Sequence, residues 1–208
     1  MMQLWHPAQM AKGMSGQMIV KPAAESLIAS VQAATTRGLP PVHLWNPPFC
    51  GDMDMRIARD GTWYHEGTPI GRAPMVKLFS SILRLEDGKY FLVTPVEKVG
   101  IVVDDAPLLA VDFDVTGQGT DQSLHFVTKT DDTVTAGPGH AIRVHRNLAT
   151  GEPSPYLHVR GGLEALIDRK SFYRLIELGS HAMHDGQSWF GVWSGGQFFA
   201  IIPSVELP

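Results

Sequence analysis

Residues 54–98 read DMRIARDGTWYHEGTPIGRAPMVKLFSSILRLEDGKYFLVTPVEK, and this stretch decides the fold class. Met75, Leu78, Phe79 and Ile82 recur at three- and four-residue spacing with Lys77, Ser81 and Arg84 between them. That period predicts an amphipathic helix over 73–85. Pro74 suits its first turn, where a missing amide proton costs nothing and φ is already helical. Asp87-Gly88 supplies a tight turn, and Lys89 to Thr94 is a run of β-forming residues stopped by Pro95. Upstream, Met55–Ala58 and Thr62–His65 flank Arg59-Asp60-Gly61, a hairpin signal. The stretch is thus strand, turn, strand, helix, turn, strand.

The same order returns near the C-terminus. Ile70 to Leu78 aligns without gaps on Ile167 to Leu175, so that Arg72 falls on Arg169. Arg59-Asp60-Gly61 pairs with Arg160-Gly161-Gly162, and Gly88 to Pro95 pairs with Gly196 to Pro203. Three matching blocks in one order predict a duplicated strand–helix–strand unit, too few copies for a solenoid.

Outward from the repeats, Pro22 to Thr36 has helical spacing in Leu27, Ile28, Val31 and Ala34, with Gly38 as the stop. Leu39-Pro40-Pro41 and Pro47-Pro48 hold the next segment extended, and Trp45 and Phe49 are expected to pin it to the first lobe. From Val99 to Ala149 the pattern is β. In Leu108 to Val115, alternation predicts Leu109, Val111, Phe113 and Val115 inward and Asp112 and Asp114 outward. Ser123–Thr130 and Thr133–Ala136 flank Asp131-Asp132; His140–Asn147 and Pro155–Val159 are further strands. A second helix is expected over 169–183, followed by strands at Trp189–Trp193 and up to Pro203.

A chain of 208 residues with 44% hydrophobic content can bury the cores of two small domains. Net charge −4, with lysines and arginines scattered, speaks against bulk nucleic acid as partner. One cysteine, Cys50, excludes an intrachain disulfide and suits a reducing compartment, so the expected location is cytoplasmic. No apolar run reaches the roughly 20 residues of a membrane span. The first thirteen residues lack a signal-peptide core, and Met14 could be the biological start. The expected organisation is an extension over 1–20, an α+β domain over 21–98 and a β-rich domain with one helix over 99–208. The fold class is α+β, with the second domain a mostly β roll.

The run D-M-R-I-x-R-D-G-x-W-x-H-x-G-x-P-I-x-R, then L-F-x-x-I-L-R-x-E-D-G-x-Y-x-L-V-T-P-V-E-K, preceded by L-P-P-V-x-x-W-x-P, resembles the DUF1285 family of bacterial proteins of unknown function. The resemblance covers Leu39 to Pro203. It implies an α+β N-terminal domain, a mostly β C-terminal domain with a pleckstrin-homology-like appearance, and a duplicated core. It further implies a nucleotide-like ligand between the domains and a signalling role. It brings no catalytic residues.

Read from the residues, Arg72 and Arg169 stand immediately before the two repeat helices, where a guanidinium and free helix-start amides can share an anion. The plainer reading is pairing with a local carboxylate such as Glu66 or Asp168. Trp63 and His65 share one strand face, with Tyr64 opposite, beside Arg59 and Arg72. Such a face suits a nucleobase and its phosphate, while core packing also accounts for Trp63. Arg160 enters the set as the counterpart of Arg59. The candidate ligand residues are therefore Arg59, Trp63, His65, Arg72, Arg160 and Arg169, with no catalytic and no metal residues assigned and the cofactor unknown.

Asp112 and Asp114 could serve acid–base or metal chemistry, or be solvated acids. His181 and His184 lie one turn apart on the expected helix, a metal-compatible spacing, yet there is no H-E-x-x-H. Cys50 has no identifiable base. Gly117-x-Gly119 and Arg160-Gly161-Gly162 match no phosphate loop and read as turns. The expected function is a soluble binding or sensor protein that clamps a small anionic, nucleotide-like ligand between its lobes. The alternatives are a hydrolase-like enzyme using Asp112, Asp114 or the histidines, and a protein-interaction module of pleckstrin-homology type.

Overall fold

Asp-Gly dipeptides set the architecture. Asp87 and Gly88 have φ of 48° and 75°, and Asp185 and Gly186 have 48° and 78°, so both central residues of each turn are left-handed. Two-residue hairpin turns of that kind match the twist of antiparallel strands and impose strand on both flanks. In this computed structural model, which describes residues 23–34 and 38–207, the effect shortens both repeat helices. The first runs Ala73–Ser81 and not to Leu85; Ile82 leaves helical geometry at φ −107°, ψ 12°, and Leu83–Glu86 forms a strand paired across the turn with Lys89–Val93. The second runs Arg169–Glu177 and not to Met183, and Ser180–His184 pairs with Gln187–Ser194.

The first helix of the described chain, α1 (Ala24–Ala34), buries Leu27 and Val31 one turn apart against α2 (Ala73–Ser81). The expected extension over 1–20, Met14 included, lies outside the described residues, as does the end of the helix expected to reach Thr36.

The first sheet comprises β1 (Phe49–Ile57), β2 (Trp63–His65), β3 (Thr68–Pro69), β4 (Leu83–Glu86), β5 (Lys89–Val93) and β6 (Lys98–Val103), in the order β3-β2-β1-β6-β5-β4. β1 and β6 are parallel and the other pairs antiparallel. α2 carries the chain from one sheet edge to the other.

The second sheet comprises β7 (Leu108–Thr116), β8 (Ser123–Thr128), β9 (Thr133–Thr135), β10 (Ile142–Arg146), β11 (Pro153–Arg160) and β12 (Leu163–Ile167). Its order, β10-β11-β12-β7-β8-β9, is the order of the first sheet counted from its own first strand, again with one parallel pair, β7 and β12, at the centre. α3 (Arg169–Glu177) and a three-stranded sheet of β13 (Ser180–His184), β14 (Gln187–Ser194) and β15 (Gln197–Pro203) complete the chain. A single buried cluster runs from Leu27, Trp63 and Phe79 through Phe113 and Leu157 to Phe199 and Ile202, so both domains share one core. The chain is mostly β with three α-helices among the described residues, consistent with the α+β class.

Sheet membership puts the division between the halves after Val103, whereas a boundary after Lys98 would cut β6 from the sheet it completes. The repeat also shifts. The carbonyl of Arg72 accepts from the Val76 amide as that of Asp168 accepts from Phe172, so Arg72 matches Asp168 in helix phase, one residue away from Arg169. Counted from the helices, β5 is the second strand after α2 and β14 the second after α3, so in that count Gly88 falls on Gly186 and not on Gly196, although in sheet order β5 answers to β11. Apolar pattern fixes which face is buried, and a one-residue slide preserved enough of that pattern to mislead.

Strand β7 breaks its own alternation. Leu108 and Ala110 are buried, Leu109 and Val111 are half-buried, Phe113 is buried, and Val115 is exposed. Its pairing with β8 is irregular between Ala110 and Asp112, and a bulge of one residue flips the face on which later side chains fall. Phe49 is exposed, touching Phe91 edge-on at 6.1 Å, while Trp45 is half-buried on the core.

Asp168 caps α3, its Oδ1 accepting from the Ser171 amide at 2.8 Å, whereas Arg72 caps α2 with no side-chain bond. Asp168→Ala is expected to lower stability by about 1 kcal/mol in urea denaturation. A change below about 0.3 kcal/mol would show that the cap is replaced by water.

Candidate functional site

Arg160, the last residue of β11, reaches from the second domain into the first. One terminal nitrogen donates to the Ser80 carbonyl in α2 at 2.9 Å, and the other is paired with Asp132 Oδ1. Asp132 Oδ2 accepts from the hydroxyls of Thr128 and Thr130 at 3.2 and 3.0 Å, and the Asp132 amide donates back to Thr128 Oγ1 at 3.0 Å. The pair is largely buried, with side-chain exposures of 23% and 11%. Buried charges persist where they are paired and hydrogen-bonded, and this one is both. The neighbouring Asp131, at φ 64° in the β8–β9 turn, points its carboxylate to Lys77 of α2 at 3.0 Å, in an exposed pair.

Above this polar floor lies a cleft of about 600 Å³. Pro74, Lys77 and Leu78 of α2 form one wall, and Thr130, Thr133, Val134, His140 and Val159 of the second domain form the other. A second chamber of about 550 Å³ shares Leu39, Ser81 and Arg160 with the first. It is otherwise walled by the segment Pro40–His43, by Leu83, Arg84 and Leu85 of β4, and by Gly161 and Leu163.

A histidine pair edges the cleft. His140 and His158 stack with ring centroids 5.8 Å apart. His158 Nε2 accepts from the Gly162 amide at 3.3 Å, so its proton sits on Nδ1, which donates to the Gly139 carbonyl at 3.1 Å. His140 Nδ1 contacts the His158 carbonyl at 3.2 Å, and its Nε2 has no partner among the described residues.

The residues singled out from sequence fall in different places. Arg160 alone lines the cleft. Arg59 and Arg169 meet at a separate hollow of about 240 Å³, with Arg59 bonded to Ser154 Oγ at 2.8 Å and near Asp105 at 3.3 Å, and Arg169 Nε donating to the Tyr173 hydroxyl at 3.1 Å. Arg72 borders a hollow between α1 and α2 with Ile28, Met75 and Leu78, and its side chain makes no hydrogen bond or ion pair among the described residues. Trp63 is a core residue, 2% exposed and stacked on Phe79 at 6.2 Å. His65 pairs with Met55 in the first sheet and lines none of these hollows.

Sequence reasoning missed Lys77, Thr133 and His140 as cleft residues. Lys77 carried one signal, a cation on a helix otherwise turned to the core; the other two become neighbours only through the second sheet.

The remaining candidates are structural. The Phe113 amide and then Arg174 hold the Asp112 carboxyl below its ordinary range, and the Arg174 pair ties α3 to β7. Asp114 is exposed opposite His125. His181 and His184 lie on a strand and not a helix, where residues three apart face opposite sides. Among the described residues no group of three or more His, Cys, Asp or Glu could hold a metal ion. No described helix is long and apolar enough to cross a membrane.

Residues 40–106 match the family model for the N-terminal domain of DUF1285, a domain of unknown function, and residues 107–201 match the model for its C-terminal domain. The chain belongs to the DUF1285 family. The boundary between the two DUF1285 models falls in the segment joining β6 to β7, where the sheets also divide. The crystal structure of a DUF1285 family protein from Silicibacter pomeroyi DSS-3 is similar, with 60% identity, a TM-score of 0.79, and coverage of 86% of this chain and 96% of that one. A DUF1285 protein from Shewanella baltica OS155 is 31% identical with a TM-score of 0.47, covering 60% of this chain and 91% of that one. No curated protein matches.

Proposed function

We propose that this DUF1285 chain is a small-molecule binding protein whose ligand occupies the cleft between its two domains. The observation that carries the reading is the cleft itself, about 600 Å³ and walled by both domains over a fixed polar floor. Ligand sites commonly combine such a volume with apolar walls and a few placed polar groups. The charges refine the chemistry. Arg160 is committed to Asp132 and to the Ser80 carbonyl, so it orients the floor and is not free for a ligand. Among the described residues Lys77 is held only by the exposed Asp131. Exposed pairs contribute about 0–1 kcal/mol, so an incoming anion can take Lys77 at little cost. The Thr133 hydroxyl is the neighbouring donor, while His140, whose Nδ1 donates to the His158 carbonyl, presents Nε2 as an acceptor.

A ligand lying across both domains couples occupancy to their relative placement, and this is the physical content of a sensor or signalling role. The hydrolase-like alternative has less support, since Asp112 is tied to Arg174 and Asp114 is exposed. The interaction-module alternative has one observation in its favour, the edge strand β13 with Met183 72% exposed.

The test is a thermal-shift screen with nucleotides, phosphorylated metabolites and carboxylates, followed by calorimetric titration of each hit. Lys77→Ala is expected to weaken an anionic hit roughly tenfold to hundredfold, and Thr133→Trp, which fills the cleft, to abolish binding. A hit that binds Thr133→Trp like wild type but loses affinity in Arg72→Ala would move the site to the hollow between α1 and α2.

A further inference from the structure

The two chambers that meet at Arg160 differ in chemistry, and the difference selects a ligand. The first offers an available cation, Lys77, and a hydroxyl donor, Thr133. The second, of about 550 Å³, presents mainly aliphatic surface from Leu39, Pro40, Pro41, Val42, Leu85 and Leu163. Both of its arginines are already occupied: Arg160 by Asp132 and the Ser80 carbonyl, and Arg84 by the carbonyls of Val42 (3.1 Å) and Trp45 and by Glu86, which Lys98 also holds at 2.7 Å. Among the described residues its lining contains no Phe, Tyr or Trp on which a nucleobase could stack. Among the described lining residues a planar base would find only the His43 ring and two already hydrogen-bonded guanidinium groups to stack on, whereas a flexible alkyl chain would meet complementary walls on both sides.

We propose that the ligand is an amphipathic anion, with a carboxylate or phosphate head at Lys77 in the first chamber and an aliphatic acyl or alkyl chain passing Arg160 into the second. This rests on the reading of the cleft as the ligand site and names the class of molecule it takes. Arg160 then has a steric role. Fixed by Asp132 and the Ser80 carbonyl, it forms part of the wall common to both chambers, and the alkyl chain passes along the methylene stem of its side chain.

The experiment titrates the full chain with acetate, hexanoate, octanoate and decanoate, with octyl phosphate and AMP as further arms, on wild type, Leu85→Trp and Thr133→Trp. Affinity is expected to rise roughly fourfold per methylene from hexanoate until the second chamber is full. Leu85→Trp, which fills that chamber, should leave hexanoate binding nearly intact and remove the gain from longer chains. Octyl phosphate binding with octanoate would show that the head site takes either anion. Affinity independent of chain length, a gain that survives Leu85→Trp, or AMP binding tighter than octanoate would each overturn the proposal. Those results leave the cleft reading standing wherever the bound probe is blocked by Thr133→Trp; a probe that binds Thr133→Trp unchanged defeats that reading instead.

Discussion

Asp132→Ala is expected to cost about 3 kcal/mol of folding stability, lowering Tm by roughly 6–12 °C for a chain of this size. Both members of its ion pair with Arg160 are less than a quarter exposed. Removing the carboxylate leaves a largely buried guanidinium with the Ser80 carbonyl as its remaining partner, and takes the acceptor from the Thr128 and Thr130 hydroxyls. The penalty arises from stranding those groups more than from losing one attraction. Asp132→Asn should recover part of it, because an amide oxygen still accepts. Asp131→Ala, one residue away in an exposed pair with Lys77, should cost less than about 1 kcal/mol. Urea denaturation of the three variants decides the matter. Equal and small losses for Asp132→Ala and Asp131→Ala would mean that the floor of the cleft is wetter than its geometry implies.

Trp63→Ala is expected to be more damaging, at about 3–5 kcal/mol, since the indole is 2% exposed and stacked on Phe79 within the shared core. Trp63→Phe should keep the fold with a smaller loss and bind ligand like wild type. Calorimetry on Trp63→Phe separates the two roles the residue could have. A folded Trp63→Phe protein with ligand affinity reduced more than about tenfold would put the indole in the binding site after all.

What was legible in the sequence follows from which forces are local. Hairpin turns such as Arg59-Asp60-Gly61 and Asp87-Gly88 announce themselves because left-handed backbone selects glycine and its neighbours. The start of α2 was legible through Pro74, and the helical face through Phe79 and Ile82. Its end was not. Ile82 to Leu85 continues the apolar period, and only pairing of Leu83 with Leu92 across the turn turns it into strand. The bulge in β7 is invisible for the same reason, since Val127 of β8 determines where Asp112 sits. The site was harder still. Arginines drew attention as isolated charges, yet Arg160 is spent on Asp132 and Arg59 on Ser154 and Asp105. Lys77 and His140 become neighbours of one cavity only after two sheets far apart in sequence meet.

The central place of β6 has a consequence for how the polypeptide is made. β6 lies between β1 and β5, parallel to the first and antiparallel to the second. As the chain leaves the ribosome, β1 waits through the hairpin of β2 and β3, then α2, β4 and β5, before its inner neighbour arrives. Until Val103 has emerged, the nascent segment is two half-sheets with their inner edges unpaired, and bringing them together closes a long loop against chain entropy. The second sheet repeats the delay, because β7 waits for β12. Each six-stranded sheet is thus sealed by its last strand, and the cleft between the halves exists only after both seals have closed.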